Sequence, residues 1–412
     1  MNILAISLAY PPLAYPRSIQ VARLLKHTEA KVVLFCADEP GARLDETIEP
    51  DAEARLHECI RVPVITGPTA GLIDRLSHKF YKPFWNRRNL APDAYGHWRK
   101  DVLMSIDRYL QPNGFRPDVI VTFAQPFTDH LIGLELKKRL GRPWFAHFSD
   151  PWADNPFSPF DEKTKSMNLE MERSVAENAD VLAFTSSETI DLFYQKYTDE
   201  LKKKAVVLPQ CFDPTQFSGD PPNGGITVRY LGNFYGRRTP QPLVDALKQI
   251  ALNDNEFLDE VSFELIGSGD AEEVRRLSSG LPKGLVVVRP NVSYAESLDL
   301  MSRSDGLLVI DAPAENSVVL PSKLIDYIGA NRPIFGITPT GTAAKLIGEL
   351  GGTVADPAEL DQLASRLKDF IDELRKRRIA QQTKWGSNRV RNRFTAESVA
   401  SDFMSMLNKV TK

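Results

Sequence analysis

The stretch Phe212-Asp-Pro-Thr-Gln-Phe-Ser-Gly-Asp-Pro-Pro-Asn-Gly-Gly225 divides the chain in two. Asp213-Pro214, Pro221-Pro222 and Gly224-Gly225 are linker punctuation, because proline fixes φ and removes a donor while glycine frees the backbone. Directly downstream, residues 227–231 read as a buried strand and residues 241–252 as a helix. Further strands fit 262–266, 285–289, 306–310, 333–337 and 352–354. Upstream the same alternation is already present. Apolar, β-rich runs occupy 3–8, 31–35, 119–122, 144–147, 181–185 and 205–208, and helical periodicity covers 19–26, 128–140 and 169–178. Short apolar runs alternating with amphipathic helices predict parallel sheets covered on both faces. The reading is an α/β chain of two doubly wound, Rossmann-like domains facing across a cleft, residues 1–211 and 222–385. Terminal helices follow over 386–412.

Length and composition agree with two domains. The chain has 412 residues, 42% hydrophobic, 25% charged and 9% aromatic, ordinary for a soluble globular protein. A net charge of −3 argues against a generally basic nucleic-acid binder. Cys36, Cys59 and Cys211 are odd in number and far apart, which argues against a disulfide framework or a thiolate zinc site and predicts a reducing cytoplasm. The opening MNILAISLAYPP has no basic residue before its apolar run, and Pro11 and Pro12 cut that run short. It is expected as a first buried strand, not a signal peptide.

Ligands of open α/β sheets bind beyond the carboxyl ends of the strands, so the loops there are the places to inspect. The loop from Ala9 to Ser18 leads into a helix whose start can hold an anion, or is a proline-stiffened connection. His147-Phe-Ser-Asp150-Pro-Trp152 sets an imidazole and a carboxylate at a strand end. Asp150 is the stronger candidate for acid–base work, although a capping role is the plainer reading. Tyr230-Leu-Gly-Asn-Phe-Tyr-Gly-Arg-Arg238 offers glycines for close backbone approach and two guanidinium groups suited to phosphate, or a solvated turn. Phe263-Glu-Leu-Ile-Gly-Ser-Gly-Asp270 lacks the third glycine of a dinucleotide fingerprint, so a nicotinamide site is rejected. Glu315-Asn-Ser-Val-Val-Leu-Pro-Ser-Lys-Leu-Ile-Asp-Tyr-Ile-Gly-Ala-Asn-Arg-Pro-Ile334 enters a helix at Pro321-Ser322. Free amides there, with Lys323, suit phosphate, and Asp326 one turn on suits ribose hydroxyls; an amphipathic surface helix is the alternative.

Pro321 to Ile334 resembles the P-S-K-L-x-E-Y-x-A-x-x-R-P-I pattern of bacterial GT-B glycosyltransferases of the broad family-four, retaining group. Tyr10-Pro-Pro12 resembles the opening loop of their acceptor domain. Pro117-Asp-Val-Ile-Val-Thr-Phe-Ala-Gln-Pro-Phe-Thr-Asp-His130 and Pro143-Trp-Phe-Ala-His-Phe-Ser-Asp-Pro-Trp152 resemble their paired strand-end motifs. Leu208-Pro-Gln-Cys-Phe-Asp213 resembles their interdomain turn. The match runs from the first strand to about residue 357.

The resemblance implies a GT-B fold whose final helices cross back onto the first domain. It implies transfer of a sugar from a nucleotide diphosphate donor to a glycan or lipid-linked acceptor in surface-polysaccharide synthesis, with retention. Asp150, His147, Arg238 and Lys323 stand in the catalytic region. Donor contacts fall to Gly232, Asn233, Arg237, Gly267, Arg289, Val292, Glu315, Val318, Ser322, Leu324 and Asp326. Acceptor contacts fall to Pro12, Tyr15, Arg17, Gln125 and Trp152. Val318 stands where the family often has a first glutamate eight residues before the second, which leaves the sugar open. No metal cluster or D-x-D dyad sits in a suitable loop, so metal-independent catalysis without a further cofactor is expected. From Arg75 to Lys100 the chain has seven Lys or Arg and one acid, Asp93, interleaved with aromatics. That suits an anionic membrane surface at the cytoplasmic face, or a solvated basic loop. A sugar-nucleotide epimerase and a non-catalytic scaffold share the architecture and remain alternatives.

Overall fold

The computed structural model describes residues 1–64, 91–156, 160–221, 224–234, 236–267 and 271–412. Its strands sort into two separate sheets. The first holds β1 (Asn2–Ile6), β2 (Lys31–Asp38), β3 (Glu58–Pro63), β4 (Val119–Ala124), β5 (Trp144–Phe148), β6 (Val181–Phe184) and β7 (Ala205–Val207), in the order β3-β2-β1-β4-β5-β6-β7. The second holds β8 (Ile226–Leu231), β9 (Val261–Ile266), β10 (Val286–Arg289), β11 (Gly306–Ile310), β12 (Ile334–Ile337) and β13 (Thr353–Ala355), in the order β10-β9-β8-β11-β12-β13. Every pairing in both is parallel. Parallel strands need crossovers, and helices supply them, so central strands are apolar on both faces. All six residues of β4 and all five of β5 and β11 are buried.

The chain forms two compact units, one of Met1–Pro209 with Val399–Lys412 and one of Gln210–Ser398. The first has a core around Ile6, Phe35, Ile120, Phe148 and Phe184. The helix Ala396–Val410 adds Phe403, whose ring meets Phe145 edge-on at 5.3 Å. The helix Asn388–Asn392 belongs to the second unit, so the return to the first begins later than the 386 expected from sequence. The second unit packs Val228, Phe263, Leu308 and Phe335 against the long helix Leu360–Ile379 through Leu367 and Phe370.

Local chemistry sets the element ends. Asp161 accepts from the Thr164 amide at 2.8 Å and starts the helix Glu162–Asn178 a turn and more before its apolar periodicity begins. Pro16 begins the helix Pro16–Lys26 for the same kind of reason, its missing N–H being one that no helix bond needs. Edge strand β3 carries Glu58 and Arg61 and has no apolar run, so sequence patterning passes over it. In both sheets the order reverses between the first strand and the fourth, β1 with β4 and β8 with β11. The carboxyl ends of those strands are the switch points where such folds hold ligands.

Candidate functional site

In the second unit the switch point is made by the ends of β8 and β11. Just past β8, Gly232 has φ +151°, and a Cβ there would collide with the Lys323 ammonium. Gly267, just past β9, has φ +146°, and a Cβ there would strike the Gly232 carbonyl. The ladder runs on through both, Gly232 donating to the Ile266 carbonyl at 2.8 Å and Gly267 to that of Arg289 at 3.1 Å. The two glycines thus bring a pair of strand-end loops and a lysine into one tight space.

Lys323 lies in the first turn of the helix Ser322–Ala330, which Pro321 caps in extended conformation rather than opening from within. Its Nζ donates to Tyr230 Oη at 3.0 Å and sits 4.2 Å from the centre of that ring. Tyr230 donates onward to the Asn233 carbonyl at 3.3 Å and stacks on Phe234 at 4.6 Å. Arg238 Nη2 donates to Asp311 Oδ1 at 2.9 Å. Asp311, directly after β11, is buried and also accepts from the Ala312 amide at 3.0 Å and from Ser317 Oγ at 3.1 Å. Burial and the Arg238 charge together push the Lys323 amine down to about 7, with Asp311 opposing them. Lys323, Arg238, Gly232, Gly267 and Asn233 are therefore gathered as sequence suggests. Asp311, Tyr230 and Ser317 are additions to that set.

Asp326 lies on the same helix, buried, accepting from Tyr294 Oη at 3.0 Å. Other donor candidates sit elsewhere. Leu324 is fully buried in a hydrophobic cluster, and its amide donates to the Pro321 carbonyl at 3.0 Å, so neither group faces a ligand. Val292 packs against the same cluster. Arg289 turns its guanidinium to Glu264 at 3.5 Å and Glu296 at 3.8 Å. Arg237 is exposed, and Arg238 alone of the pair reaches Asp311. The Val318 carbonyl accepts from Thr342 Oγ1 and that of the exposed Glu315 from Thr340 Oγ1, both at 3.0 Å. Ser322 heads the helix at the cluster's edge. Ser268, Gly269 and Asp270 lie outside the described residues.

In the first unit a second polar cluster forms past β1, β4 and β5. Arg17, buried in the opening helix, donates from Nη2 to His147 Nδ1 at 2.7 Å and to the His147 carbonyl at 2.9 Å. His147 Nδ1 is therefore the acceptor, which leaves the proton on Nε2, 3.1 Å from the Leu208 carbonyl. Burial and the Arg17 charge hold this imidazole well below its ordinary range. Both ring nitrogens of His147 are engaged within the fold, and its ring and carbonyl together orient Arg17. Burial also pushes Arg17 down to about 9, opposed by Asp150 and Asp129.

Asp150, partly exposed, accepts from Ser149 Oγ at 2.9 Å and from Gln125 Nε2 at 3.3 Å. Burial raises its carboxyl above the usual range, against Ser149 and Arg17. Asp129, which the sequence reading passed over, is fully buried and accepts from the Leu8 amide at 2.8 Å, pinning the end of β1. Tyr15 and Tyr95 both donate to Glu39, at 3.1 and 3.3 Å. The Pro12 carbonyl accepts from the Asp45 amide at 2.8 Å. Trp152 is fully buried, stacked on Phe127 at 4.5 Å, with its indole N–H on Asn168 Oδ1 at 2.6 Å. It is a core residue, not an acceptor contact.

Of the basic, aromatic stretch 75–100, residues up to 90 lie outside the described residues. In the rest, Trp98 is fully buried and donates to the Val62 carbonyl at 3.1 Å, and Arg99 pairs with Glu135 at 3.3 Å. Asp93 accepts from the Thr128 amide at 2.9 Å and caps the helix Thr128–Leu140. Trp98, Arg99 and Asp93 thus make their contacts within the fold. Among the described residues no helix is long and apolar enough to cross a membrane.

No protein-family model matches the sequence, and no curated protein matches it. Solved structures do. HepE of Anabaena, in complex with UDP and glucose, superposes with a TM-score of 0.65 over 99% of this chain and 100% of its own, at 14% identity. Sucrose-phosphate synthase from Thermosynechococcus elongatus gives 0.68 over 100% and 99%, at 17% identity. The lipopolysaccharide outer core galactosyltransferase WaaB, in its apo form, gives 0.60 over 99% of each chain, at 14% identity.

The chain has the GT-B fold. In GT-B terms the 3-2-1-4 strand order recurs in each unit, and the Arg238–Asp311–Lys323 cluster sits past the switch strands of the second. The Arg17–His147–Asp150 cluster sits past the corresponding strands of the first.

Proposed function

We propose that this GT-B protein is a glycosyltransferase that takes a sugar from a nucleotide diphosphate donor and passes it, with retention, to a glycan or lipid-linked acceptor of surface-polysaccharide synthesis. The observation that carries the reading is the two-cation cluster of Arg238 and Lys323 at the head of the helix Ser322–Ala330. A diphosphate needs positive charge and amide donors at one place, and a helix start beside a strand end supplies both. The complex of HepE with UDP and glucose and the galactosyltransferase activity in the name of WaaB support the same reading.

The proposed step breaks the bond between the sugar and the β-phosphate through an oxocarbenium-like transition state. Charge developing on the leaving diphosphate is met by Arg238, Lys323 and the first amides of the helix, without a metal ion or further cofactor. Asp326, which accepts from Tyr294 Oη, is the carboxylate assigned to a ribose hydroxyl. Asp150 is the carboxylate assigned to the reacting sugar, with Gln125 beside it. The proposal keeps the protein in the cytoplasm, at the inner membrane face where the acceptor is lipid-linked.

A thermal-shift panel of UDP, GDP, ADP, CDP and dTDP, each with its common sugars, tests the donor reading. A ligand at 100 times its Kd stabilises by about 2.7 kcal/mol. A selective shift, followed by release of that diphosphate with an acceptor extract, is the expected result. No shift with any of them overturns the reading, and a new nucleotide-sugar formed without free diphosphate marks an epimerase instead.

A further inference from the structure

We propose that binding of a nucleoside diphosphate to this site is coupled to uptake of one proton by Lys323, so that the donor site is loaded more tightly as pH falls. The inference rests on the donor-site reading above and adds its regulation. Its ground is the arrangement of charge. Two basic side chains share the space beyond β8 and β11, and the carboxylate that faces it, Asp311, is taken by Arg238 at 2.9 Å, by the Ala312 amide and by Ser317. Lys323 Nζ has a phenol and an aromatic face for company, Tyr230 Oη at 3.0 Å and the Tyr230 ring at 4.2 Å. Among the described residues no carboxylate lies within ion-pair distance of it. An ammonium there keeps the electrostatic benefit of the ring but loses much of its hydration next to a fixed guanidinium.

The groups around Lys323 come from every element packed on it. Tyr230 lies on β8, Arg238 on the loop beyond, and Asp311 after β11. On its own helix, Asp326 is engaged by Tyr294, and Tyr327 Oη accepts from the Leu231 amide at 2.9 Å. Asp311 is the one counter-charge among them, and it is shared with Arg238, the Ala312 amide and Ser317. Burial and the Arg238 charge lower the amine to about 7. An arriving diphosphate brings the missing negative charge, reverses that balance and draws a proton from solvent onto Nζ. No covalent bond changes in this step; the proton comes from water or buffer and returns when the diphosphate leaves.

Isothermal titration at pH 8 tests this, with each of UDP, GDP, ADP, CDP and dTDP, in HEPES and in Tris. The two buffers differ in ionisation enthalpy, so the difference in observed heat counts the protons exchanged. At that pH the diphosphates are already fully ionised, their last phosphate pKa being about 6, and the lysine is mostly neutral. Uptake approaching one proton per bound diphosphate is expected, with affinity falling towards tenfold per pH unit above 7. Lys323→Arg keeps a permanent charge and is expected to bind without uptake and with a flat profile up to pH 9. Lys323→Met is expected to bind weakly, again without uptake. Tight binding by the unaltered protein with equal heats in both buffers overturns the inference and leaves the donor reading standing. Uptake that persists in both variants also overturns it. Failure of every diphosphate to bind overturns the donor reading and the inference together.

Discussion

Arg238 Nη2 stands 2.9 Å from Asp311 Oδ1, and the same carboxylate holds the Ala312 amide and Ser317 Oγ. The loop after β8 is thereby fastened to the loop after β11 by one charged hydrogen bond whose anionic end is fully committed. That bond limits how far Arg238 can swing.

Removing either partner therefore has distinct effects. Arg238→Ala is expected to weaken nucleoside diphosphate binding by roughly 10- to 100-fold, the scale of one or two charge-assisted hydrogen bonds, while binding of the bare nucleoside stays unchanged. Asp311→Asn keeps the size but not the charge, and is expected to weaken diphosphate binding less, about threefold to tenfold, by freeing Arg238. Calorimetry with a diphosphate and its nucleoside reads both; an equal loss for the two ligands in Arg238→Ala would refute the role.

Lys323→Met is expected to stabilise the ligand-free protein while impairing diphosphate binding. Its amine is lowered from 10.5 to about 7 in the folded state. The unfolded chain therefore binds the extra proton between those values, and the cost to the fold is greatest at or below pH 7. Each unit corresponds to about 1.4 kcal/mol, reduced by screening at a half-buried site, so a gain of roughly 1–2 kcal/mol is expected at pH 7. The gain shrinks as pH rises towards 10.5. Urea denaturation of both proteins at pH 7 and pH 9.5 checks the sign.

Asp150→Asn and His147→Gln separate chemistry from positioning. Asp150→Asn is expected to leave diphosphate affinity within about twofold and to cut transfer by 100-fold or more, as loss of a group acting in the transition state does. His147→Gln loses one of two hydrogen bonds and is expected to destabilise by about 1–3 kcal/mol. Its pH profile of transfer should match that of the unaltered protein, because burial and the Arg17 charge hold the imidazole well below its ordinary range. A missing inflection in His147→Gln would return the histidine to the catalytic set.

Trp152→Ala is expected to cost about 3–5 kcal/mol by the cavity it leaves. Trp152→Phe keeps the stack on Phe127 and leaves Asn168 Oδ1 without its donor, for about 1–3 kcal/mol. Both losses should appear in denaturant midpoints and not as a selective rise in KM for acceptor.

The strands of both sheets could be read from sequence because central parallel strands are apolar on both faces, as Val119–Ala124 and Gly306–Ile310 show. Strand Glu58–Pro63 could not, since an edge is covered less and tolerates charge. Lys323 was legible as a basic residue at a helix start, and Arg238 as one in the glycine-containing loop after a strand. Asp311 was equally placed, an acid straight after an apolar strand, and the rule that marked Asp150 would have marked it. The surroundings of His147, Trp152 and Leu324 were not legible for one shared reason. A residue's position past or beside a strand end says where its backbone goes, whereas its partners, here Arg17, Asn168 and the core, come from other elements. Cys36 and Cys59 show the same limit, 23 residues apart in sequence yet 3.6 Å apart between sulfurs on neighbouring strands.

Phe403 closes over Phe145 from the helix Ala396–Val410, so residues from 399 onward complete the unit that begins at Met1. A ribosome therefore emits the whole second unit before the first has all its parts. The first unit must wait, with the surface around Phe145 bare to chaperones, until Phe403 has emerged.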